Sequence, residues 1–207
     1  MITFKEYLEE MSQAMKGDYT GGASSIKPMP ADYVFNSFKK LDIIEIAGKK
    51  FLLYQRTKDN LGNYVDYVMG YFDKNQNNFF IPIFALSLVN QKGLLPEYPK
   101  LNVVKSVYVR DENQKSGIAI MMYKYLVDKL GFDIMGDSQQ YFGARKLWVK
   151  LSEDSRFMVD IVDIKNKEVI DYGVKVYHGL EDSDFDKRIW SYDRDKDNIR
   201  LVLTKML

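Results

Sequence analysis

The sequence predicts an α+β protein: a mixed, mostly antiparallel sheet with helices packed on it, preceded by an N-terminal amphipathic helix. Three observations carry this expectation. Five extended segments follow one another between residues 42 and 109, separated by turn residues such as Asp59-Asn60-Leu61-Gly62-Asn63, the pattern of an antiparallel meander. A helix, a short strand and a second helix then fill 116–151, and three further strands complete the chain. The 207 residues, 46% hydrophobic and 29% charged, suffice for one domain with a sizeable core.

Taken in order, Phe4, Tyr7, Leu8, Met11 and Met15 form a helical stripe, and Thr3 with Glu6 makes a capping box, so residues 1–15 read as an amphipathic helix. Residues 16–31 hold Gly17, Gly21, Gly22, Ser24, Ser25, Pro28 and Pro30 and no periodicity, the composition of a linker. The main domain spans 32–207. It opens with a short helix from Asp32 and continues with strands at 42–47, 50–57, 64–73, 79–90 and 102–109. The apolar run Phe79 to Val89 is 11 residues long and contains Pro82, well short of the roughly 20 that a membrane span needs, so it reads as a buried strand. Ser116 to Leu130 is a helix with Ile118, Met121, Met122, Tyr125 and Leu126 on one face, ending near Gly131. A strand at 132–136 follows. Asp137 and Ser138 can cap a helix to Leu151 with Ala144, Leu147, Trp148 and Leu151 on one side, before strands at 157–164, 168–177 and 199–206. The sequence shows no internal repeat.

Composition removes several classes of function. Without cysteine there is no disulfide, thiolate nucleophile or Cys-ligated metal. The single histidine, His178, rules out a multi-imidazole site and stands at a strand end without an evident partner, as a structural residue. Thirty basic and 29 acidic side chains give a net charge of +1, so there is no global field for a nucleic acid, and the tyrosines of the meander, Tyr64, Tyr67 and Tyr71, lack the basic interleaving of a stacking surface. Lys5, Glu6, Glu9 and Glu10 leave no apolar core for a secretory signal, and the expected protein has no membrane partner. Asp193-Arg194-Asp195-Lys196-Asp197-Asn198 begins like a calcium loop but has Asn198 and Thr204 where Gly and Glu are required, and Asp182, Asp184 and Asp186 read as a charged loop; no metal site is expected.

One segment carries chemistry. A Val-rich strand ending at Val109 is followed by a polar loop, and Gln114-x-x-Gly117-x-Ala119 opens a helix. Small residues there allow close backbone approach, and the free N–H groups of a first helical turn, at the positive end of the dipole, suit a pyrophosphate. The same residues also fit ordinary helix initiation. In this context the sequence resembles the GNAT superfamily of N-acetyltransferases, whose signature is a Val-ended strand, then Gln or Arg, two residues, Gly, one residue, and Gly or Ala. Val109 stands five residues before Gln114, and Ala144, Leu147, Trp148, Lys150 and Leu151 match a second motif, so the resemblance covers about 103–151. Asp137-Ser138-Gln139-Gln140 with Gly143 looks like the variant found in phage-encoded members.

The resemblance implies acetyl-CoA as cosubstrate, held where the strands at 103–109 and 132–136 splay. Pantetheine would pair with the backbone of Val107 and Val109, and the N–H groups of Gln114, Lys115, Ser116, Gly117, Ile118 and Ala119 would hold the pyrophosphate. The acetyl group would pass by direct attack of an amine on an unknown acceptor, needing neither Cys nor His. Asp137 is a candidate base and equally a helix cap, Glu112 is a solvated second candidate, and Tyr108 lines the acceptor cleft or packs in the sheet. The chain departs from the family in having Trp148 where many members carry an acidic Tyr, and Tyr141 where a cofactor-contacting Asn falls; Tyr141 is the candidate replacement hydroxyl. The alternative reading is a non-catalytic GNAT-fold phage protein that acts by binding. Residues 1–10 resemble the capsid-targeting peptide of T-even-like phage head proteins, with Leu8-x-Glu10 at the cleavage position, which would place the chain in the host cytoplasm or virion interior with a capsid or host protein as partner. An amphipathic docking helix is the plainer reading of the same residues.

Overall fold

A computed structural model describes residues 27–57, 64–75, 78–114, 116–136, 142–174, 176 and 198–206. The expected N-terminal helix, most of the linker, Lys115, Asp137, Tyr141, His178, the acidic loop at 182–186 and most of the calcium-like loop lie outside them. The described elements are α1 (Ala31–Ser37), β1 (Phe38–Ile46), β2 (Lys49–Arg56), β3 (Tyr64–Asp73), β4 (Phe79–Asn90), β5 (Leu101–Val109), a 3-10 turn (Asp111–Asn113), α2 (Ile118–Leu130), β6 (Asp133–Met135), α3 (Phe142–Ser152), β7 (Phe157–Asp163), β8 (Glu168–Asp171) and β9 (Ile199–Lys205). The strands are hydrogen-bonded in the order β1-β2-β3-β4-β5-β6-β9-β7-β8. The chain divides into two units, one of residues up to Val89 with Lys105–Ile118, the other of Asn90–Val104 with residues from Ala119 onward.

In the first unit, β1 to β4 form the expected antiparallel meander. Strand β1 begins four residues earlier than its alternation indicates, because a bulge between Lys40 and Asp42 puts its two halves out of phase. Ala47 and Gly48 turn the chain into β2 with φ of 50° and 74°, the two positive values a two-residue hairpin needs. The exposed N–H of Ile43, on this outermost strand, is taken by the Asp42 carboxylate at 2.8 Å, which blunts the edge. Met29, assigned to the linker by its Pro-rich surroundings, is fully buried and exchanges two 2.8 Å backbone hydrogen bonds with Phe80. It anchors a core of Val34, Phe38, Tyr54, Val68, Phe80 and Ala85.

Strand β4 is buried along nearly its whole length although it contains a proline, which has no N–H for a ladder. The register accommodates it: Met69 pairs with Phe84 but Gly70 with Pro82, so Ile83 is the extra residue of a bulge. A Cβ on Gly70 would overlap the Ile81 carbonyl, backbone that cannot swing aside. Gly70→Ala should therefore cost about 1–3 kcal/mol, the range of overpacking in a closed core, read as a lower urea midpoint at unchanged slope.

In the second unit, β6 pairs in parallel with β5 and antiparallel with β9, which pairs with β7, and β7 with β8. Helix α2 begins at Ile118, two residues after the expected Ser116, and ends before Gly131 at φ +66°. Strand β8 stops at Asp171, short of the expected 177. Gly173 at φ +60° breaks it, donating its N–H at 2.8 Å to buried Asp160, which also accepts the Tyr98 hydroxyl at 2.8 Å. Burial, with the Asp160 carboxylate beside it, pushes the Tyr98 phenol well above its ordinary range. Among the described residues no helix is long and apolar enough to cross a membrane, and no cluster of His, Asp and Glu could hold a metal.

Asp154 ties α2 to the start of β7. It accepts from Lys124 Nζ at 2.6 Å and from Arg156 Nη2 and Nε at 2.7 and 3.0 Å, while Asp128 takes Lys205 at 2.9 Å. The Arg156 and Lys124 hydrogen bonds hold its carboxyl far below the usual carboxylate range. A depressed folded pKa gives stability that is fully present above the unfolded value near 3.8 and disappears as pH falls through the folded one. In Asp154→Asn, the fall of Tm on acidifying from pH 6 to pH 2 should be shallower than in the wild type, and the two curves should converge at the acid end. At neutral pH the loss should be about 2–4 °C, since surface ion pairs contribute about 1 kcal/mol or less each.

Candidate functional site

The segment from Val107 to Ala119 is where a strand is turned into a helix. Strand β5 pairs with β6 from Leu101↔Asp133 to Val103↔Met135 and then continues to Val109 past the last of those pairs. Val107 is 37% exposed and Val109 half-buried. Tyr108 points to the opposite face, as alternation requires, and packs against the core around Met29 and Phe80.

After β5 the Arg110 N–H donates to Ile83 O at 2.9 Å, which pins the loop to β4. The 3-10 turn closes through the Asn113 N–H to Arg110 O at 2.8 Å and the Gln114 N–H to Asp111 O at 3.1 Å. Gln114 Nε2 folds back on Asp111 Oδ1 at 2.8 Å and the Ser116 N–H donates to Asn113 O at 3.3 Å, so the Gln114 and Ser116 N–H groups, expected to face a pyrophosphate, are engaged within the turn. The Ser116 hydroxyl donates to Asn113 O. Asn113 Oδ1 is buried and has no hydrogen-bond partner among the described residues. Arg110 and Glu112 form a loose pair at 3.8 Å.

Gly117 decides the geometry. Its φ of +80° is strained for any residue with a Cβ, and it is the reason α2 starts at Ile118 and not at Ser116. Apart from its two chain neighbours, no heavy atom of the described residues lies within 4 Å of the place where its Cβ would stand. Ile118 is buried and fixes the helix by its side chain, while Gln114, Ser116 and Gly117 are exposed. The first N–H groups of α2 have no acceptor within the helix, and they sit at the positive end of its dipole. Chemically, the free donors of such a helix start can hold an anion.

Trp148, where the resemblance leads one to expect an acidic Tyr, is 2% exposed and meets Tyr123 edge-on at 6.2 Å. It joins α3 to α2 as core. Asp137 and Tyr141, which precede α3, lie outside the described residues, as does Lys115 within the loop. Sequence reading passed over Arg56, Asp66 and Ser87, three polar residues on neighbouring strands. Each alone looks like an ordinary strand residue, and only the register brings them side by side.

No protein-family model matches the chain, and no curated protein matches it. Among solved structures it is similar to an acetyltransferase of the GNAT family from Bacteroides thetaiotaomicron, at 10% identity and a TM-score of 0.35 over 72% of this chain and 65% of that one. It is also similar to the IAA acetyltransferase from Bacillus cereus ATCC 14579, at 12% identity and a TM-score of 0.35 over 70% of this chain and 79% of that one. The match spans just under two thirds of the Bacteroides protein.

Proposed function

We propose that the chain is an acyltransferase of the N-acetyltransferase type, moving an acetyl group from acetyl-CoA to an amine. The observation that carries this reading is the Gln114-x-x-Gly117-x-Ala119 turn, with a left-handed glycine at the start of α2. Donors held by rigid backbone suit a pyrophosphate. The backbone of Val107 and Val109, on the part of β5 beyond its β6 pairs, suits the amide groups of pantetheine.

In the transfer, the amine lone pair attacks the thioester carbonyl, the C–N bond forms and the C–S bond breaks. The amine loses a proton to a base, and the departing thiolate gains one. We assign the first proton to Asp137 and the second to the Tyr141 hydroxyl. Trp148 serves neither, since its indole is packed in the core and N–H is a donor without useful acidity. That burial is the specific observation behind a second reading, a protein that binds CoA and does not turn it over.

Calorimetric and thermal-shift titration with CoA and acetyl-CoA tests the binding shared by both readings. Binding should raise Tm with ligand concentration, and no rise with either compound at millimolar concentration removes both. Gly117→Glu should weaken binding by more than tenfold. Gly93→Glu is the control, because Gly93 has the same left-handed backbone (φ +83°) and the same open surroundings but lies in the loop between β4 and β5. Equal loss in both variants would mean backbone strain and no phosphate cradle. Turnover is read as thiol release against an amine panel, and a chain with no cysteine contributes no background.

A further inference from the structure

The face of the meander that carries the Met29 core is incompletely covered at one corner. Ile43 on β1 pairs with Leu52 on β2, and Leu52 with Gly70 on β3. Ile43 and Leu52 therefore share a face with Tyr54, which stands two residues beyond Leu52 and belongs to that core. Phe72, two residues beyond Gly70, is on the same face as a diagonal neighbour of Leu52, and its ring meets Phe35 of α1 at 5.2 Å. Leu52 and Phe72 are half-buried and pack against the core, whereas Phe35 is 59% exposed and Ile43 50%. Exposed apolar side chains scattered singly are ordinary; four that adjoin on one face form a patch.

The register also fixes where the chain reaches this face. Phe72 pairs with Phe80 on β4, and Met29 exchanges both backbone hydrogen bonds with Phe80. Met29 thus stands two strand spacings, about 10 Å, from Phe72, and the residues before Lys27 join the described chain there. Those residues carry an apolar stripe, Phe4, Tyr7, Leu8, Met11 and Met15, which occupies about 100° of a helix and leaves Lys5, Glu6, Glu9 and Glu10 outside it. From Phe4 to Met15 such a helix is about 18 Å long, and β1 to β4 are three strand spacings, about 14 Å, so stripe and patch match in length. Residues 16–26, with the Gly and Ser content of a linker, span about 17–20 Å on average, enough to seat the stripe on the patch. An isolated helix of this length is marginal in water and holds its shape by burying its apolar side. A tether this short keeps the patch at about millimolar effective concentration, which favours it over the same patch on a second copy at micromolar protein.

We propose that residues 4–15 dock as an amphipathic helix on the Phe35, Phe72, Leu52 and Ile43 patch of their own chain, stripe inward. The docking is independent of the acyltransferase reading. It gives the N-terminal stripe a partner within the chain, so that the stripe is not free to engage a capsid or host protein until it is released.

Hydrogen exchange of the full chain, read by mass spectrometry over residues 4–15 and compared with a synthetic peptide of residues 1–15, tests this. Exchange should be at least tenfold slower in the chain than in the peptide. Phe35→Ser and Ile43→Ser should each reduce that protection at least threefold and together bring it to the peptide rate, while Tyr172→Ser, which removes a comparably exposed side chain outside the meander, should leave it unchanged. Leu8→Lys alters no patch residue; it should release the segment and speed exchange in α1, with β3 and β4 as slow as in the wild type. That variant keeps the test decisive where the double substitution unfolds the meander, because release of the segment without faster exchange in α1 would place the stripe elsewhere and overturn the proposal. Peptide-like exchange in the wild type would overturn it, as would protection that persists in a folded double variant. So would protection that is lost on dilution together with a dimer, for the occupant would then be a second copy.

Discussion

A parallel pair inside a sheet of hairpins is the constraint on which the rest depends. The β1–β2, β2–β3, β3–β4, β6–β9, β7–β9 and β7–β8 pairs are antiparallel, but β5 and β6 run the same way. Antiparallel neighbours can be joined by a tight turn; parallel ones need a crossover, and here α2 provides it. A helix that must start where β5 ends presents its free N–H groups immediately after the strand. The polar loop, the left-handed Gly117 and the burial of Ile118 are the local means of meeting that requirement.

Two glycines show how one residue type answers two different constraints. At Gly70 the limit is space, because β4 crowds the position with the Ile81 carbonyl where Pro82 has forced a bulge. At Gly117 the limit is conformation, since no described residue beyond its chain neighbours crowds the position and the dihedral disfavours a side chain. The first is a requirement of packing and would be met by a glycine in any protein with that bulge. The second is a requirement of the turn's conformation alone.

Much of the fold was legible because the patterns are local. Strands β2 and β3 follow from extended segments between turns rich in Gly, Asn and Asp, β4 from its unbroken apolar run, and α2 from its apolar stripe. The exceptions each have a cause in contacts that sequence spacing does not carry. The bulge at Lys40 broke the alternation of β1, Gly173 ended β8 within an otherwise strand-like run, and Met29 lay among prolines whose composition marks a linker although its side chain enters the core. The same division holds at the site. The Gln114-x-x-Gly117-x-Ala119 spacing is readable in one stretch, whereas Arg56, Asp66 and Ser87 come from three strands spanning 32 residues and become a group only through the register.

The buried Trp148 weighs less against turnover than its position implies, and magnitudes show why. A thiol has an ordinary pKa near 8.5, so a departing thiolate is a modest base and gains comparatively little from a proton donor. General acid help contributes about 10²–10⁴ in rate, whereas fixing two reactants in a productive geometry is worth about 7–11 kcal/mol. Under the acyltransferase reading, a chain without cysteine and with one histidine would rely on the larger of these effects. Backbone donors are suited to it, because their positions depend less on side-chain rotamers. Under that reading, Trp148 in place of an acidic side chain would cost at most the proton-transfer factor, while losing the left-handed turn at Gly117 would remove the arrangement proposed to hold the cosubstrate.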